Sequence, residues 1–339
     1  MPHEKVLVTG ATGFIGSHLA KSLVEAGYEV RALVREKNSD RTRLSGVDVE
    51  FVVGDIRQAD SLFEAASKVK KVFHCAAVAS DWASKQAFYE TNVVGTENIL
   101  KACVRENVGI FIGISTNDVF GRIEKRVVDE SFPLMKWHEP YPDTKLLAEK
   151  LIWKYHETEG LPVTLVYPCW VYGEGDTTFL PHIIKAIASR QLVFWRKNAL
   201  MWPTFIENLI DLLHVISTDT RAIGNGYLVH DGNSVSFENF CNRICDETGL
   251  RRIKTHIPYV GAYVSAVIIE MIWRLLSIRD RPPLTTYVVK NIGSRHQYSI
   301  EKARNELDWI PKKSFEQGFA QTMAWASGAF DLKKGCHRF

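Results

Sequence analysis

Short apolar segments alternate with helical patterns through the first half of the chain. The apolar segments are rich in Val, Ile and Leu, as strands buried on both faces of a sheet are. Six strands are predicted, over residues 6–8, 29–34, 49–53, 71–75, 110–115 and 161–167. Helices are predicted between them, over residues 14–26, 61–68 and 85–106 and from Tyr141 onward. Because strands that alternate with helices at this spacing pair in parallel, the pattern predicts an α/β fold with a doubly wound parallel sheet.

The second half of the chain has a less regular pattern. Helices are predicted over residues 180–190, 206–218, 236–248 and 300–307, and a returning strand over residues 227–229. We therefore expect this half to add a strand to the sheet and to form a smaller C-terminal region.

Residues 257–277 carry few charges. The 13 residues from Ile257 to Ile269 have none, and Glu270 and Arg274 follow. A membrane-spanning helix needs about 20 apolar residues, so a span is not expected. A buried helix of the substrate region is the simpler interpretation. The alternative is an amphipathic or mobile lid with an apolar face over a lipid-like substrate, in contact with a membrane surface.

The composition is that of a globular protein, with 46% hydrophobic and 24% charged residues. The net charge of +3 is too small to argue for nucleic acid or an anionic surface as a partner. Six cysteines occur without metal-ligand spacing, and no signal peptide is recognised before the first strand. We expect a cytoplasmic protein without a metal site, with membrane association as the alternative. A homodimer is left open.

A glycine-rich turn joins the first strand to the first helix, in the order that a dinucleotide-binding βαβ unit requires. Gly10 allows a sharp turn, Gly13 leaves space for a pyrophosphate, and Gly16 allows close packing of the helix. The helix N-terminus offers unpaired N–H groups and a partial positive charge to phosphates. The predicted contacts of this loop with a nucleotide cofactor are Gly10, Thr12, Gly13, Phe14, Ile15 and Gly16.

The end of the second strand selects the cofactor. An acidic residue there would bond the ribose hydroxyls of NAD, whereas this chain has Arg35, with Lys37 nearby. Since a guanidinium matches a 2′-phosphate, NADP is favoured over NAD; a solvated strand end is the other explanation of Arg35. Asp55 and Ile56, after the third strand, are predicted to contact the adenine amino group and ring.

Tyr141 and Lys145 lie four residues apart, so on a helix they share a face about 6 Å apart along the axis. A lysine charge beside a phenol lowers the pKa of that phenol, and such a tyrosine can give or take a proton at a carbonyl or alcohol oxygen. Thr116, at the end of the fifth strand, can supply a second hydrogen bond to that oxygen. We predict that Thr116, Tyr141 and Lys145 are the catalytic residues.

These motifs together resemble the extended short-chain dehydrogenase/reductase superfamily, which includes the NAD-dependent epimerases and dehydratases. The resemblance covers nearly the whole chain and is carried by Thr9 to Gly16, Gly54-Asp55-Ile56, His74-Cys75-Ala76-Ala77, Asn92-Val93-x-Gly95-Thr96, Ser115 to Gly121, Tyr141 to Lys145 and Tyr167 to Gly173. It implies a Rossmann fold and hydride transfer to or from a nicotinamide. It also implies that the cofactor contacts Ala76, Ala77, Asn92, Tyr141, Lys145, Pro168 and Val171. We divide the chain into a Rossmann domain with the catalytic residues, 1–175, and an interleaved substrate-binding region, 176–339.

Two branches of the superfamily compete. The segments 173–176, 281–285 and 298–303 resemble the 3β-hydroxysteroid dehydrogenase branch. Nucleotide-sugar epimerases and dehydratases share the glycine loop and the catalytic residues. Sugar dehydratases of the Thr-Asp-Glu type place two acids after the catalytic threonine, but this chain has Asn117-Asp118, which disfavours dehydration. Tyr167 stands where arginine is usual, which puts contacts on the substrate side in question.

The resulting hypothesis is an NAD(P)-dependent oxidoreductase. It would interconvert a secondary alcohol and a ketone on an apolar substrate, steroid-like or otherwise bulky, by a Tyr/Lys/Thr proton relay. The second half has apolar helices and tryptophans but no clear basic cluster for a diphosphate, so a nucleotide-sugar 4-epimerase is the alternative. A non-catalytic NAD(P)-binding regulator is the third hypothesis, against which Thr116, Tyr141 and Lys145 argue because a regulator needs no proton relay.

Overall fold

The computed structural model describes residues 4–36, 39–124, 126–278, 280–331 and 336–337. Its strands are β1 (Lys5–Thr9), β2 (Glu29–Val34), β3 (Val49–Val53), β4 (Lys71–His74), β5 (Ile110–Ile114), β6 (Val127–Val128), β7 (Val163–Pro168), β8 (Trp170–Tyr172), β9 (Leu200–Met201), β10 (Pro203–Phe205), β11 (Asn225–Val229), β12 (Val235–Ser236), β13 (Gln297–Tyr298), β14 (Phe330–Asp331) and β15 (Cys336–His337). Its helices are α1 (Phe14–Glu25), α2 (Asp60–Ala66), α3 (Lys85–Tyr89), α4 (Gly95–Arg105), α5 (Pro140–Glu159), α6 (Leu180–Ala188), α7 (Ile206–Thr218), α8 (Phe237–Thr248), α9 (Tyr259–Leu275), α10 (Thr286–Ile292), α11 (Glu301–Leu307) and α12 (Phe315–Ala329).

A seven-stranded sheet in the order β11-β7-β5-β4-β1-β2-β3 forms the central layer, and all of its strand pairs are parallel. The chain winds outward in one direction through β2 and β3 and in the other through β4, β5 and β7. The predicted doubly wound α/β fold is therefore confirmed. The winding changes direction between β1 and β4, and in such sheets ligands bind in the crevice at the carboxyl ends of these strands.

The central strands are buried because helices cover both faces of the sheet. The side chains from Val6 to Val8 in β1 are fully buried, and β5 and β7 are buried along their whole length. This burial explains the near-continuous apolar sequence of these strands. Edge strand β11 comes from the second half of the chain and pairs with β7, so both halves build one sheet. The division at residue 175 stays a prediction.

Several elements differ from the sequence prediction. The helix expected over 85–106 is interrupted by one π-helical turn, Glu90–Val94, between α3 and α4. Two helices, α10 and α12, were not predicted. Helix α12 begins with a capping box, in which Ser314 and Gln317 satisfy each other's backbone N–H groups, and this signal is visible in the sequence.

Helix α9 occupies most of the apolar segment 257–277, and the buried-helix interpretation of that segment is wrong. Only Ala262 and Ala266 of α9 are buried. Its large apolar side chains are mostly exposed, among them Met271 and Leu275. Apolar composition does not distinguish a helix that is covered on several sides from one that is covered on a single narrow side. No described helix is both long and apolar enough to cross a membrane.

Candidate active site

A cavity of about 600 Å³ opens at the carboxyl ends of the central strands. It begins at the turn between β1 and α1, passes the ends of β5 and β7 and the first turns of α5, and ends against α6 and α10. Eleven predicted site residues line it: Gly10, Gly13, Phe14, Ile15, Gly16, Ala77, Thr116, Tyr141, Lys145, Pro168 and Val171. The other predicted site residues do not line this cavity: Thr12, Arg35, Asp55, Ile56, Ala76 and Asn92.

The turn between β1 and α1 has no room for side chains at two positions, at Gly10 because the segment after β4 lies against it and at Gly16 because the helix begins over the turn itself. Gly10 has a φ of +67°, and a Cβ there would lie 2.8 Å from the Ala76 backbone nitrogen. A Cβ on Gly16 would lie 2.2 Å from the Gly10 carbonyl oxygen. At Gly10 and Gly16 the turn therefore presents backbone and no side chain, while Phe14 and Ile15 of the first turn of α1 also line the cavity. This cradle fits the diphosphate of a dinucleotide.

A chain of hydrogen bonds joins Thr9, the last residue before this turn, to β4 and α4. The Thr96 hydroxyl donates to the Asn92 carbonyl (2.7 Å), so it must accept from His74 Nε2–H at 3.1 Å. His74 Nδ1 then accepts from the Thr9 hydroxyl at 2.8 Å, and that hydroxyl accepts from the Ala76 N–H at 3.2 Å. Burial, with the nearby Lys145 charge, lowers the pKa of His74 to about 3, which keeps its ring neutral. The chain fixes the spacing between β1, β4 and α4.

Asn92 lies one layer behind the cavity wall. Its Oδ1 accepts from the Val78 N–H (2.8 Å), and its Nδ2 donates to the Val78 carbonyl (3.3 Å) and the Thr144 hydroxyl (3.1 Å). Thr144 is on α5, beside Lys145. Asn92 therefore joins the segment after β4 to α5, the helix that carries Tyr141 and Lys145 of the predicted proton relay. Ile56, also predicted to contact the cofactor, is buried against Gly95.

Asp55 is paired with a neighbouring arginine. The Arg57 guanidinium donates from Nε to Oδ1 (3.0 Å) and from Nη2 to Oδ2 (2.6 Å). This bonding holds the pKa of Asp55 below its ordinary value, and the charge of Arg35 contributes. Arg35 is exposed at the end of β2, whereas Lys37 lies outside the described residues. The end of β2 therefore offers an exposed cation next to a carboxylate that Arg57 already neutralises.

The predicted catalytic side chains come together at the centre of the cavity. Thr116 follows β5, and Tyr141 and Lys145 lie on successive turns of α5. The Lys145 ammonium donates to the Ile114 carbonyl at 2.6 Å, which ties α5 to the end of β5. Burial lowers the pKa of Lys145 to about 8, and the Glu149 charge opposes this shift. Lys145 therefore keeps most of its charge at neutral pH.

Tyr141 does not have the lowered pKa that the sequence predicts. Burial raises the pKa of Tyr141 above its ordinary value, the Asp118 carboxylate raises it further, and the Thr116 hydroxyl lowers it. The prediction assumed that Lys145 would dominate. In the structure burial and Asp118 dominate, and the Lys145 ammonium is directed to a backbone carbonyl. The Tyr141 phenol is consequently protonated at neutral pH.

Asp118 and α10 form a polar cluster that the sequence prediction missed. The Tyr287 hydroxyl donates to Asp118 Oδ2 at 2.6 Å, and Asn291 Nδ2 donates to the Tyr287 oxygen at 3.0 Å. The Tyr287 ring meets the Tyr141 ring edge to face, with centroids 6.2 Å apart. Burial raises the pKa of Asp118 to about 6, against hydrogen bonds from Tyr287 and Thr116. Asp118 and Tyr287 are 169 positions apart, so no local signal could have paired them.

Tyr167, which replaces the usual arginine, is directed away from the cavity. Its hydroxyl donates to Glu149 Oε1 at 2.8 Å, and the Ser115 hydroxyl donates to Oε2 at 2.8 Å. Glu149 is buried one turn after Lys145; burial raises its pKa, and the hydrogen bond from Tyr167 lowers it. The departure at Tyr167 thus affects the support of α5. Tyr167 does not line the cavity.

At the far end of the cavity, an arginine is neutralised by an aspartate. Arg281 donates from Nε and Nη2 to the two Asp81 oxygens, both at 2.6 Å, and the Thr285 hydroxyl donates to the same carboxylate at 2.8 Å. Among the described residues that line the cavity, the lysines and arginines are Lys145 and Arg281, and both have partners. Within the same described part of the chain, no cluster of His, Cys, Asp and Glu could hold a metal ion.

Comparison with known proteins agrees with the resemblance inferred from the motifs. Residues 6–227 match the NAD dependent epimerase/dehydratase family. The chain is similar to a 2-alkyl-3-oxoalkanoate reductase of Stenotrophomonas maltophilia (strain K279a), at 29% identity over 94% of this chain and 98% of the relative. It is also similar to a decarboxylating sterol-4-alpha-carboxylate 3-dehydrogenase of Mus musculus, at 27% identity over 94% and 90% of the two chains.

Among solved structures, the chain is similar to a dTDP-glucose 4,6-dehydratase from Streptomyces venezuelae with NAD bound. The TM-score is 0.78 and the identity 24%, over 96% of this chain and 97% of the other. At this identity the likeness shows the fold.

We predict that Gly16→Ala disrupts the glycine turn. The new Cβ would collide with the Gly10 carbonyl, a backbone atom that cannot move alone. Thermal unfolding should show a loss of about 1–3 kcal/mol, and binding of NADP and NAD, measured by calorimetry, should weaken. The control is Gly261→Ala in α9, where nothing lies within 4 Å of the added carbon; it should gain about 0.5–1 kcal/mol. Equal stability of Gly16→Ala and wild type would contradict the close approach.

Proposed function

The chain belongs to the NAD dependent epimerase/dehydratase family, as an NAD(P)-dependent oxidoreductase of the extended short-chain type, and on this premise we propose that it interconverts a ketone and a secondary alcohol on an apolar, bulky substrate. One observation carries the proposal. Thr116, Tyr141 and Lys145 meet on one wall of a cavity whose near end is the glycine turn and whose far end is α10. A cofactor held by the turn would extend towards these three side chains.

The proposed proton relay follows from the protonation states of the site. The bound nicotinamide would supply the hydride to the carbonyl carbon, or accept it in the reverse direction. Tyr141, protonated at neutral pH because its pKa is raised, donates its proton to the carbonyl oxygen. The Thr116 hydroxyl donates a second hydrogen bond to that oxygen, and the Lys145 charge stabilises the phenolate left behind. A phenol that holds its proton at neutral pH is in the protonation state that reduction of a ketone requires.

The walls of the cavity support an apolar substrate. Beyond the relay the cavity is lined by Trp170, Phe179, Val288 and Ile292. The cation at this end, Arg281, is held by Asp81. By their names, the two curated relatives act on a 2-alkyl-3-oxoalkanoate and on a sterol-4-alpha-carboxylate. Each of these substrates joins an apolar body to a carboxylate, and the apolar body supports the proposed substrate class.

The nucleotide-sugar 4-epimerase stays the alternative, because the fold is shared with enzymes of that class. A diphosphate needs several cations or N–H groups beyond those of the cofactor site. The neutralised Arg281 argues against such a site. The regulator hypothesis is set aside, since the chain belongs to a family of enzymes. A cytoplasmic location, a homodimer and the division into domains at residue 175 stay predictions.

Removal of the Tyr141 hydroxyl should abolish most of the activity. Tyr141→Phe keeps the ring but cannot give a proton, so turnover should fall at least about 100-fold while cofactor affinity is retained. Turnover is followed by the absorbance of the reduced nicotinamide and cofactor affinity by calorimetry. Tyr155→Phe is the matched control, because Tyr155 lies on the same helix but does not line the cavity. Nearly normal turnover in Tyr141→Phe would refute the relay.

We also propose that Arg35 selects NADP. A charge-assisted contact with a 2′-phosphate contributes about 1.5–3 kcal/mol, so Arg35→Asp should weaken NADP binding more than tenfold and NAD binding far less. The control is Arg190→Asp, an exposed arginine that does not line the cavity. Calorimetric titration of both cofactors measures the effect. Tighter binding of NAD than of NADP by the wild type would show that Arg35 is only a solvated strand end.

The substrate proposal predicts a dependence on size. Each buried methylene adds up to about 0.8 kcal/mol, so affinity across a homologous series of ketones should rise until the cavity is full. Multi-ring ketones should bind more tightly than small ones. A competing titration uses uridine and thymidine diphosphate sugars. Saturable binding of such a sugar, without a size trend among ketones, would make the epimerase the better assignment.

A further inference from the structure

Helix α9 exposes a continuous apolar face to solvent. Eight large apolar side chains are exposed, from 40% at Ile272 to 81% at Leu275, and we refer to them together as the α9 face: Val260, Val264, Val267, Ile268, Met271, Ile272, Leu275 and Leu276. Their spacing of three, four and one residues places them on one side of the helix. Within the described chain, these are eight of the fifteen large apolar side chains that are exposed. Single exposed apolar residues are ordinary, but a contiguous patch marks an interaction site.

The opposite side of α9 attaches the helix to the rest of the protein. The helix packs through Ala262 and Ala266, its two buried residues. The Glu270 carboxylate accepts from the Thr286 N–H (2.6 Å) and from the Thr286 hydroxyl (2.9 Å), which fixes α9 to α10. Small residues, polar bonds and the half-buried rings of Tyr259 and Tyr263 thus attach the helix, and the large aliphatic side chains on its other side are left exposed.

The exposed charged residues within α9 and just before it are basic, whereas exposed acids lie beyond them, at Asp246 and Glu247 on one side and Asp280 on the other. Between residues 250 and 276 the exposed charged residues are Arg251, Arg252, Lys254 and Arg274. Glu270, the acid in this stretch, accepts from Thr286 through Oε1, and its Oε2 lies 3.6 Å from Arg274 Nη2. Arg252 is bonded to Asp246, whereas Arg251 and Lys254 are exposed at the approach to the helix N-terminus, and Arg274 lies near its C-terminus. Cations at both ends of an apolar face complement an anionic surface that has an apolar interior, which is the description of an acidic lipid bilayer.

We propose that the α9 face inserts into the interface of an anionic lipid bilayer, with Arg251, Lys254 and Arg274 among the headgroups. The helix has 17 residues and is about 25 Å long. It would lie in the plane of the interface, with its apolar side chains about 5–10 Å deep. The net charge of +3 gave no sign of this partner, because the basic residues are concentrated locally and the rest of the chain is nearly balanced.

Helix α9 lies next to the substrate end of the cavity, which its inward side contacts through α10. Helix α10, which Glu270 holds, supplies Tyr287 and Val288 to the cavity wall. At the other end of α9, the Arg274 guanidinium lies 5.6 Å from the centre of the Trp82 ring, and Asp81 next to that ring lines the cavity. If the substrate is apolar, a consequence that rests on the proposed function, it could pass from the bilayer into the cavity with little exposure to water.

Vesicle binding by the full-length chain tests the proposal. The protein is mixed with vesicles of phosphatidylcholine alone or of phosphatidylcholine with phosphatidylserine, and the bound fraction is measured by flotation. Wild type should bind the mixed vesicles, and binding should weaken at high salt. Ile268→Ser with Leu275→Ser should reduce the affinity at least tenfold, since two exposed apolar side chains no longer insert. The matched control, Ile223→Ser with Ile310→Ser, removes exposed apolar side chains elsewhere and should bind as wild type does.

A charge variant separates insertion from electrostatic attraction. Arg251→Glu with Lys254→Glu should reduce affinity for the mixed vesicles at least tenfold while the apolar face is intact. All of these variants should retain wild-type turnover of a water-soluble ketone, so that loss of vesicle binding is distinguishable from failure of the proposed chemistry. Wild type that stays unbound to mixed vesicles would overturn the proposal. So would a wild-type dimer that Ile268→Ser with Leu275→Ser converts to a monomer, because a second copy would then cover the α9 face.

Discussion

The close approach of the β1–α1 turn to the end of β4 is the constraint on which the rest of the site depends. The absence of a side chain at Gly10 lets the turn lie against Ala76, and the absence of one at Gly16 lets the helix begin directly over that turn. The Thr9–His74–Thr96 chain then fixes this spacing with hydrogen bonds whose donors and acceptors form one consistent order. A larger gap would separate the glycine turn from the strand ends beside Thr116, Tyr141 and Lys145.

Burial sets the protonation states of the ionisable groups in the site. The pKa of Lys145 falls to about 8 and that of Asp118 rises to about 6, and in both cases burial is the largest cause. Burial also raises the pKa of Tyr141. Each shift disfavours the charged form, as removal of water does. These protonation states are the ones that the proposed reduction of a ketone requires: a neutral phenol at Tyr141 and a Lys145 that retains most of its charge.

The features predicted from the sequence are those that depend on neighbours in the chain. Strand burial, the glycine turn and the four-residue spacing of Tyr141 and Lys145 are local, and the structure shows each of them. The contacts that were missed join distant positions: Tyr287 reaches Asp118 over 169 positions, and Arg281 reaches Asp81 over 200. The pKa of Tyr141 was mispredicted for the same reason, since spacing reveals Lys145 but not Asp118 or the depth of burial. The exposure of α9 was mispredicted because its apolar sequence suits a protein core and a lipid surface equally.

The two ends of the cavity differ in the same way: one is built mainly from local contacts and the other from contacts between distant positions. The cofactor end is built from the β1–α1 turn and the ends of adjacent strands, so the fold alone positions it. The substrate end is built from α10 and the Asp81–Arg281 pair, whose positions depend on the C-terminal region. Side chains at that end can therefore change without disturbing the sheet. If the proposed proton relay operates, the side chains that distinguish one substrate from another therefore lie in α10 and its neighbours.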